Sequence, residues 1–337
     1  MRANRRMSDT TDTLLIGGGF FGYAQEIVAA LNARNRRAQW FEDRPATDTL
    51  TKSLIRLTPS LVVKRSNAYF DNIISQTRNK PIRDVLVIKG EALSIASIHN
   101  LRAAFPNAQF TLYFWDSYRN MPIDSAEKVP LFHKAFTFDP VDARADSRLQ
   151  YRPLFFLDDY ARLPEVEQDI DVLFFGTAHS DRLVVLRRLS KLLPKDTRIK
   201  TILYFPSRLI FAARHIVEPA IWISPNHFIF QPLGKSTVKS LIARAKVVID
   251  IERQVQSGLT MRTIEMLGAG KKLVTTNRGI VQADFFNPAN IAVIDRRNPV
   301  IDPGFLAGAY EPVSAELLRR YSLTGWLDEV LPSTPQL

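Results

Sequence analysis

Residues 257–277, SGLTMRTIEMLGAGKKLVTTN, hold the clearest chemistry in the chain. Ser257, Gly258 and Leu259 form a small loop ahead of a short helical pattern that opens at Thr260 and carries Arg262, Thr263 and Glu265. Gly268-Ala269-Gly270 stops that helix, and the strand-like KLVTT follows. The first turn of a helix presents N–H groups without intrahelical acceptors, at the positive end of the macrodipole, so it attracts anions. Arg262 strengthens that field. Glu265 lies three residues beyond Arg262 and shares its helix face. The set suits a phosphate-bearing ligand whose sugar hydroxyls need an acceptor. The plain alternative is an i,i+3 ion pair on a solvated face, worth only about 0.2–0.5 kcal/mol.

Other residues offer related chemistry. Gly176 and Thr177 turn out of an apolar run, and Arg182 follows as a second phosphate contact; helix capping by Ser180 or Asp181 is the competing explanation. Glu91, Asp116 and Asp139 each end a strand. A carboxylate there can take the proton of an attacking hydroxyl, and Glu91 and Asp116 are the candidates for that role, against the commoner use of acids in turns. Gly17, Gly18, Gly19 and Phe20 form a loop at the first strand's end. Gly17, Gly19 and Gly22 satisfy G-x-G-x-x-G, with Glu42 and Asp43 about 20 residues on, as in a dinucleotide fingerprint. That reading implies an NAD- or FAD-dependent oxidoreductase; the others are a glycine loop lining a substrate cleft, or a tight turn.

The five histidines show no metal-ligand spacing, and Asp169-Ile170-Asp171 precedes its strand instead of following it, so no metal site is expected. No serine sits in a G-x-S-x-G elbow.

The elements that must position these groups alternate. Strands are expected at 13–16, 38–42, 85–89, 110–115 and 135–139, with helices at 23–34 and 93–105. The pattern loosens over 154–168 and then restarts. Strands fall at 171–175, 200–205, 247–251, 273–276 and 291–294, with helices at 181–193, 237–245 and 260–267. A terminal helix is expected over 317–331. Strands alternating with helices imply parallel sheets, hence two successive α/β domains. In such sheets ligands sit at the carboxyl ends of the strands, and two such edges facing each other would form a donor–acceptor cleft.

At 337 residues the chain accommodates two domains, with 46% hydrophobic and 23% charged residues, as in soluble globular proteins. There is no cysteine, so disulfides, thiolate metal sites and cysteine nucleophiles are excluded. The net charge is +11, spread as pairs such as Arg187-Arg188, Lys271-Lys272 and Arg296-Arg297. Without a dense basic stripe or an aromatic–basic signature, nucleic acid is not expected as a partner; an anionic membrane surface is a better match. The basic start at 1–6 runs into polar SDTTDT, which is no signal peptide. The apolar region 203–233 is interrupted by charges and prolines and cannot span a bilayer.

With DVLFFGTAHSDR at 171–182, the segment 247–277 and DFFNPANIAVID at 284–295, the chain resembles glycosyltransferases of the GT-B architecture, close to the bacterial CgeB-like and polysaccharide-biosynthesis branch. The resemblance implies two Rossmann-like domains facing across a cleft: an acceptor domain at 12–155, a nucleotide-sugar domain at 168–312, and a C-terminal helix at 313–332 returning to the first. It implies that the loop before the R-x-x-E helix surrounds a diphosphate, that Arg262 contacts it, and that Glu265 accepts from ribose hydroxyls. It further implies a cytoplasmic, metal-independent hexosyltransferase without a cofactor beyond its nucleotide-sugar substrate. Such an enzyme would act on a glycan or lipid-linked acceptor for lipopolysaccharide, capsule or exopolysaccharide. The E-x7-E pair of the large retaining families is incomplete, since no carboxylate precedes Glu265 at that spacing. A non-catalytic polysaccharide-assembly protein is the remaining alternative.

Overall fold

The computed structural model describes residues 11–19, 22–45, 59–178, 181–209, 211–212, 228–254 and 257–332. Phe20, Ser180, the basic start at 1–6 and most of the apolar region at 203–233 lie outside them. The chain divides into two compact units. Unit 1 runs to Leu154 and resumes at Leu323; unit 2 is Phe155–Ser322.

In unit 1 the order is β1 (Thr13–Ile16), α1 (Tyr23–Ala33), β2 (Ala38–Phe41), α2 (Pro59–Thr77), β3 (Asp84–Ile88), α3 (Ile95–Ala104), β4 (Gln109–Phe114), α4 (Ser125–Lys128), β5 (Lys134–Thr137), α5 (Pro140–Ala145) and β6 (Gln150–Tyr151). Unit 2 follows with β7 (Ile170–Thr177), α6 (Arg182–Leu192), β8 (Ile199–Tyr204), β9 (Phe228–Ile229), α7 (Lys235–Arg244), β10 (Ala245–Asp250), α8 (Met261–Gly268), β11 (Lys272–Thr275), β12 (Ile291–Val293), α9 (Pro303–Ala307) and α10 (Ala315–Tyr321). The chain then re-enters unit 1 with α11 (Leu323–Val330).

Both sheets are six-stranded and parallel, ordered β2-β1-β3-β4-β5-β6 and β12-β11-β10-β7-β8-β9. Runs such as TLLI and DVLVI are apolar at consecutive positions because a parallel sheet is covered on both faces. In unit 1 the alternation is explicit. Leu14, Ile16, Val85, Val87 and Leu112 pack with Phe70, Ile73, Ile98 and Leu101 of α2 and α3. On the other face Tyr113 meets Trp326 of α11 edge-on at 4.9 Å, and Arg34 at the end of α1 donates to Asp328 and to the Thr324 carbonyl.

In unit 2, Val172, Phe174, Val247, Ile249 and Val274 pack with Leu183, Val185, Leu186 and Leu189 of α6. Leu267 of α8 instead lies with Leu273 and Ile291, whose side chains alternate with those of the first set. So α6 and α8 cover opposite faces, as right-handed crossovers in opposite directions require.

The terminal helix expected over 317–331 is two helices. Ser322, extended at ψ 160°, breaks it, and its N–H is taken by the Arg319 carbonyl. Apolar spacing alone could not show that break. No expectation covered α2, whose outer face is crowded with polar residues such as Lys64, Arg65, Asp71 and Asn72.

Candidate active site

Each sheet has one switch point, where successive connections leave in opposite directions: between β1 and β3, and between β7 and β10. Ligands of open parallel sheets lie beyond the strand ends at such points.

At the second switch point six of the residues singled out above gather around a seventh, Asp250. Asp250 ends β10 and is 4% exposed. The hydroxyl of Thr260 donates to its carboxylate, and the Thr263 hydroxyl does so at 3.1 Å. Thr260 is also the N-cap of α8, its oxygen accepting from the Thr263 amide at 3.2 Å. The amides of Met261 and Arg262 precede the first possible i−4 acceptor of the helix.

Two guanidinium groups flank this helix start. Arg182 opens α6 and folds back, donating from Nη1 to the Thr177 carbonyl at 3.0 Å and from Nε to the Ile251 carbonyl at 2.7 Å. Gly176 makes room for it: a Cβ there would lie 3.3 Å from Nη1. Burial pushes the Arg182 pKa down to about 10; nearby Asp250 opposes this, while Arg262 and Arg253 add like-charge repulsion. Arg262 lies 3.5 Å from the centroid of the Phe175 ring, and its Nη1 donates to the Phe175 carbonyl. Its Nε is buried with no hydrogen-bond partner among the described residues. Two guanidinium groups beside one helix N-terminus, with the nearest strand-end carboxylate, Asp250, already held by two hydroxyls, make a field for a polyanion.

The remaining candidates of unit 2 sit around this centre. Glu265 is 7% exposed and takes the Tyr160 hydroxyl, whose pKa is raised first by burial and then by the Glu265 charge. Arg262 acts on the same tyrosine, so the three groups are neighbours. Gly258 and Leu259 are buried and Ser257 is half-buried; the Gly258 carbonyl accepts from Asn277 at 3.3 Å, which ties this loop to the end of β11.

Sequence reading missed Asp250, Tyr160 and Phe175. Asp250 carried the same signal as Glu91 and Asp116, a carboxylate at a strand's carboxyl end. Tyr160 lies far from the motif in sequence, and Phe175 looks like any buried strand residue.

The first switch point is built differently. The Gly19 amide donates to Glu42 at 3.1 Å, and Trp40 Nε1 donates to the Gly17 carbonyl at 2.7 Å. A Cβ on Gly19 would meet Glu42 at 2.6 Å and the Trp40 ring at 2.8 Å. The loop glycine therefore admits an indole and a carboxylate of the same unit. In the dinucleotide reading, the amide would face a pyrophosphate and the acid a ribose; here the two bond to each other.

Glu91 and Asp116 are brought together by Lys89, whose Nζ lies 3.2 Å from a carboxylate oxygen of each. Lys89 has φ 67° and Gly90 φ 65°. A left-handed lysine is uncommon and costs on the order of 1 kcal/mol or more. Arg44 reaches Glu91 at 3.2 Å and Asp43 at 2.9 Å. Burial raises the Asp43 pKa, with Arg44 opposing. The Glu91 side chain has no exposed area, whereas that of Asp116 is 27% exposed and accepts from Asn120 at 3.0 Å. Asp139 is a helix cap, accepting from the Val141 amide at 2.8 Å. No group of three or more metal-ligating side chains occurs among the described residues.

No protein-family model and no curated protein matches the chain. Solved structures do. A glycosyltransferase from Rickettsia africae superposes with TM-score 0.60 at 14% identity, over 96% of this chain and 100% of that one. Anabaena HepE, crystallised with UDP and glucose, gives 0.59 at 10% identity and the same coverage. OtsA without ligand gives 0.63 at 10% identity, also over 96% and 100%. The fold is the GT-B fold. Within this GT-B chain the two glycine turns are not equivalent: in unit 1 the turn is filled by Trp40 and Glu42, while in unit 2 it makes space for Arg182.

Proposed function

We propose that the chain is a glycosyltransferase that binds a nucleotide-activated sugar on unit 2 and transfers the sugar to an acceptor hydroxyl held by unit 1. The observation that carries this is the pairing of Arg182 and Arg262 beside the start of α8, at the switch point of the second sheet. In this reading the acceptor oxygen attacks the anomeric carbon, the bond from that carbon to the diphosphate oxygen breaks, and the electron pair leaves on the diphosphate. Arg182, Arg262 and the first-turn amides of α8 meet that charge, which assigns leaving-group stabilisation to protein cations instead of a metal. Glu265, oriented by Tyr160, accepts from ribose hydroxyls. Of the two strand-end acids, Asp116 takes the acceptor proton because its carboxylate is accessible; Glu91 serves by fixing Lys89.

The finer assignment is a cell-envelope glycan, lipopolysaccharide, capsule or exopolysaccharide, made on the cytoplasmic side. The net charge of +11 supports peripheral attachment to an anionic leaflet.

The test is a thermal-shift screen of UDP, GDP, TDP and CMP beside NAD and FAD. A nucleoside diphosphate should raise the melting temperature, and Arg262→Ala should sharply reduce the shift. Protection by NAD or FAD with none by the diphosphates would remove the proposal.

A further inference from the structure

Unit 2 holds a cavity on the opposite face of its sheet from α8. Its volume is about 320 Å³, and it opens between the start of α6 and the carboxyl ends of β11 and β12. Val185 and Ile294, both buried, supply apolar wall. Its floor is a completed polar network. Arg296 reaches Asp181 at 2.7 Å and Glu252 at 2.6 Å, and Thr276 donates to Glu252 at 2.5 Å. Gln254 donates to the other oxygen of Asp181 at 2.9 Å. The floor is thus set before any ligand arrives, with Asp181 and Glu252 sharing the one guanidinium of Arg296 and each taking a neutral donor, Gln254 or Thr276.

The rim is basic. Arg188, Arg278 and Arg297 are exposed around the opening. Arg278 pairs with Asp295 at 3.0 Å, and among the described residues Arg188 donates only to a carbonyl, that of Arg296, at 3.3 Å. The Arg297 guanidinium has no hydrogen-bond or ion-pair partner among the described residues. Asp295, the rim acid, is further occupied by the amides of Arg297 and Asn298. Three guanidinium groups against one carboxylate therefore make the mouth positive, above a floor that offers the Gln254 amide, the Thr276 hydroxyl and the Asp181 carboxylate.

We propose that this cavity is a binding site for a phosphate monoester of a small polyhydroxylated body, a sugar phosphate, separate from the nucleotide-sugar site. Its phosphate meets Arg188 and Arg297, and its hydroxyls meet Gln254, Thr276 and Asp181. Ligand pockets commonly run from about 300 to 1,000 Å³; at about 320 Å³ this one lies at the small end, which suits a sugar phosphate. Two charge-assisted contacts at the rim give the phosphate most of its hold.

The experiment is calorimetric titration of the full chain with glucose 6-phosphate, glucose 1-phosphate and inorganic phosphate, each with and without saturating UDP. The proteins are wild type, Arg188→Glu/Arg297→Glu and Arg262→Ala. A sugar phosphate should bind wild type and Arg262→Ala alike, unaffected by UDP, and at least tenfold more weakly to the double variant. The double variant changes exposed side chains only, and its melting temperature checks that it folds. No binding of either sugar phosphate overturns the proposal. So does binding unaffected by the double substitution, competition by UDP, or inorganic phosphate binding as tightly as the esters. Loss of UDP binding with sugar-phosphate binding intact would count against the donor site alone, so the two readings fail separately.

Discussion

Arg262 is held by an aromatic ring on one side and a strand carbonyl on another, with its Nε buried and unpartnered among the described residues. Such a guanidinium is fixed before a ligand comes, so little side-chain entropy is lost on binding. A hydrogen bond to a charged group contributes about 1.5–3 kcal/mol. Arg262→Ala should therefore weaken nucleoside-diphosphate binding roughly 10- to 100-fold, read by titration calorimetry. Thr260 belongs to stability as much as to the site, because it caps α8 and also donates to buried Asp250. Thr260→Ala should cost about 1–2 kcal/mol in urea unfolding, and Thr260→Ser should recover most of it. Away from the site, hydrogen bonds from Arg148 hold the Asp146 carboxyl at about 2. A depressed carboxylate adds stability above its unfolded pKa of about 3.9 and loses it as pH falls through the folded value. The stability gap between wild type and Arg148→Ala should be constant above that pH and close between about pH 4 and pH 2 in urea melts.

Among the elements, the parallel strands were the most legible, because consecutive apolar residues between glycine turns have few other uses. Helix starts with a capping residue were legible for the same local reason: Thr260 and Ser94 each cap where the pattern changes. What the sequence hid depends on partners distant along the chain. The break at Ser322 shows as nothing but one more small residue in a helical run. In the candidate site, Arg182, Thr260 and Arg262 were readable from their turns, while Asp250 and Tyr160 emerged only when β10 and the segment after Leu154 came beside α8. Gly268 shows a similar dependence. It reads as a helix stop, yet a Cβ there would overlap the ring of buried Phe156. Gly268→Ala should therefore lose about 1–3 kcal/mol through overpacking, more than the gain of up to about 1 kcal/mol in helix propensity. A fall of several degrees in melting temperature would be the readout; a rise would show that Phe156 can move aside.

For the molecule as a whole, the net charge overstates what is free to meet a partner. Lys271 is spent on the carbonyls of Ala243 and Ala245, Lys272 on those of Phe305 and Gly308, and Arg296 on two carboxylates. Binding to anionic vesicles should accordingly be weak and should vanish by about 0.5 M salt, where screening has shortened the reach of exposed charges. The same scale governs α11. Trp326 has no exposed area and lies against Tyr113, so Trp326→Ala should destabilise unit 1 by about 3–5 kcal/mol, seen as an early unfolding transition in calorimetry.

Because unit 1 is closed by α11, a ribosome releases its final piece last. At ~5–20 residues per second, the intervening unit takes on the order of ten seconds to be made. Throughout that interval Tyr113 lacks the indole of Trp326 that covers it in the finished chain. A stop codon placed just after Ser322 would turn that passing lack into a permanent one.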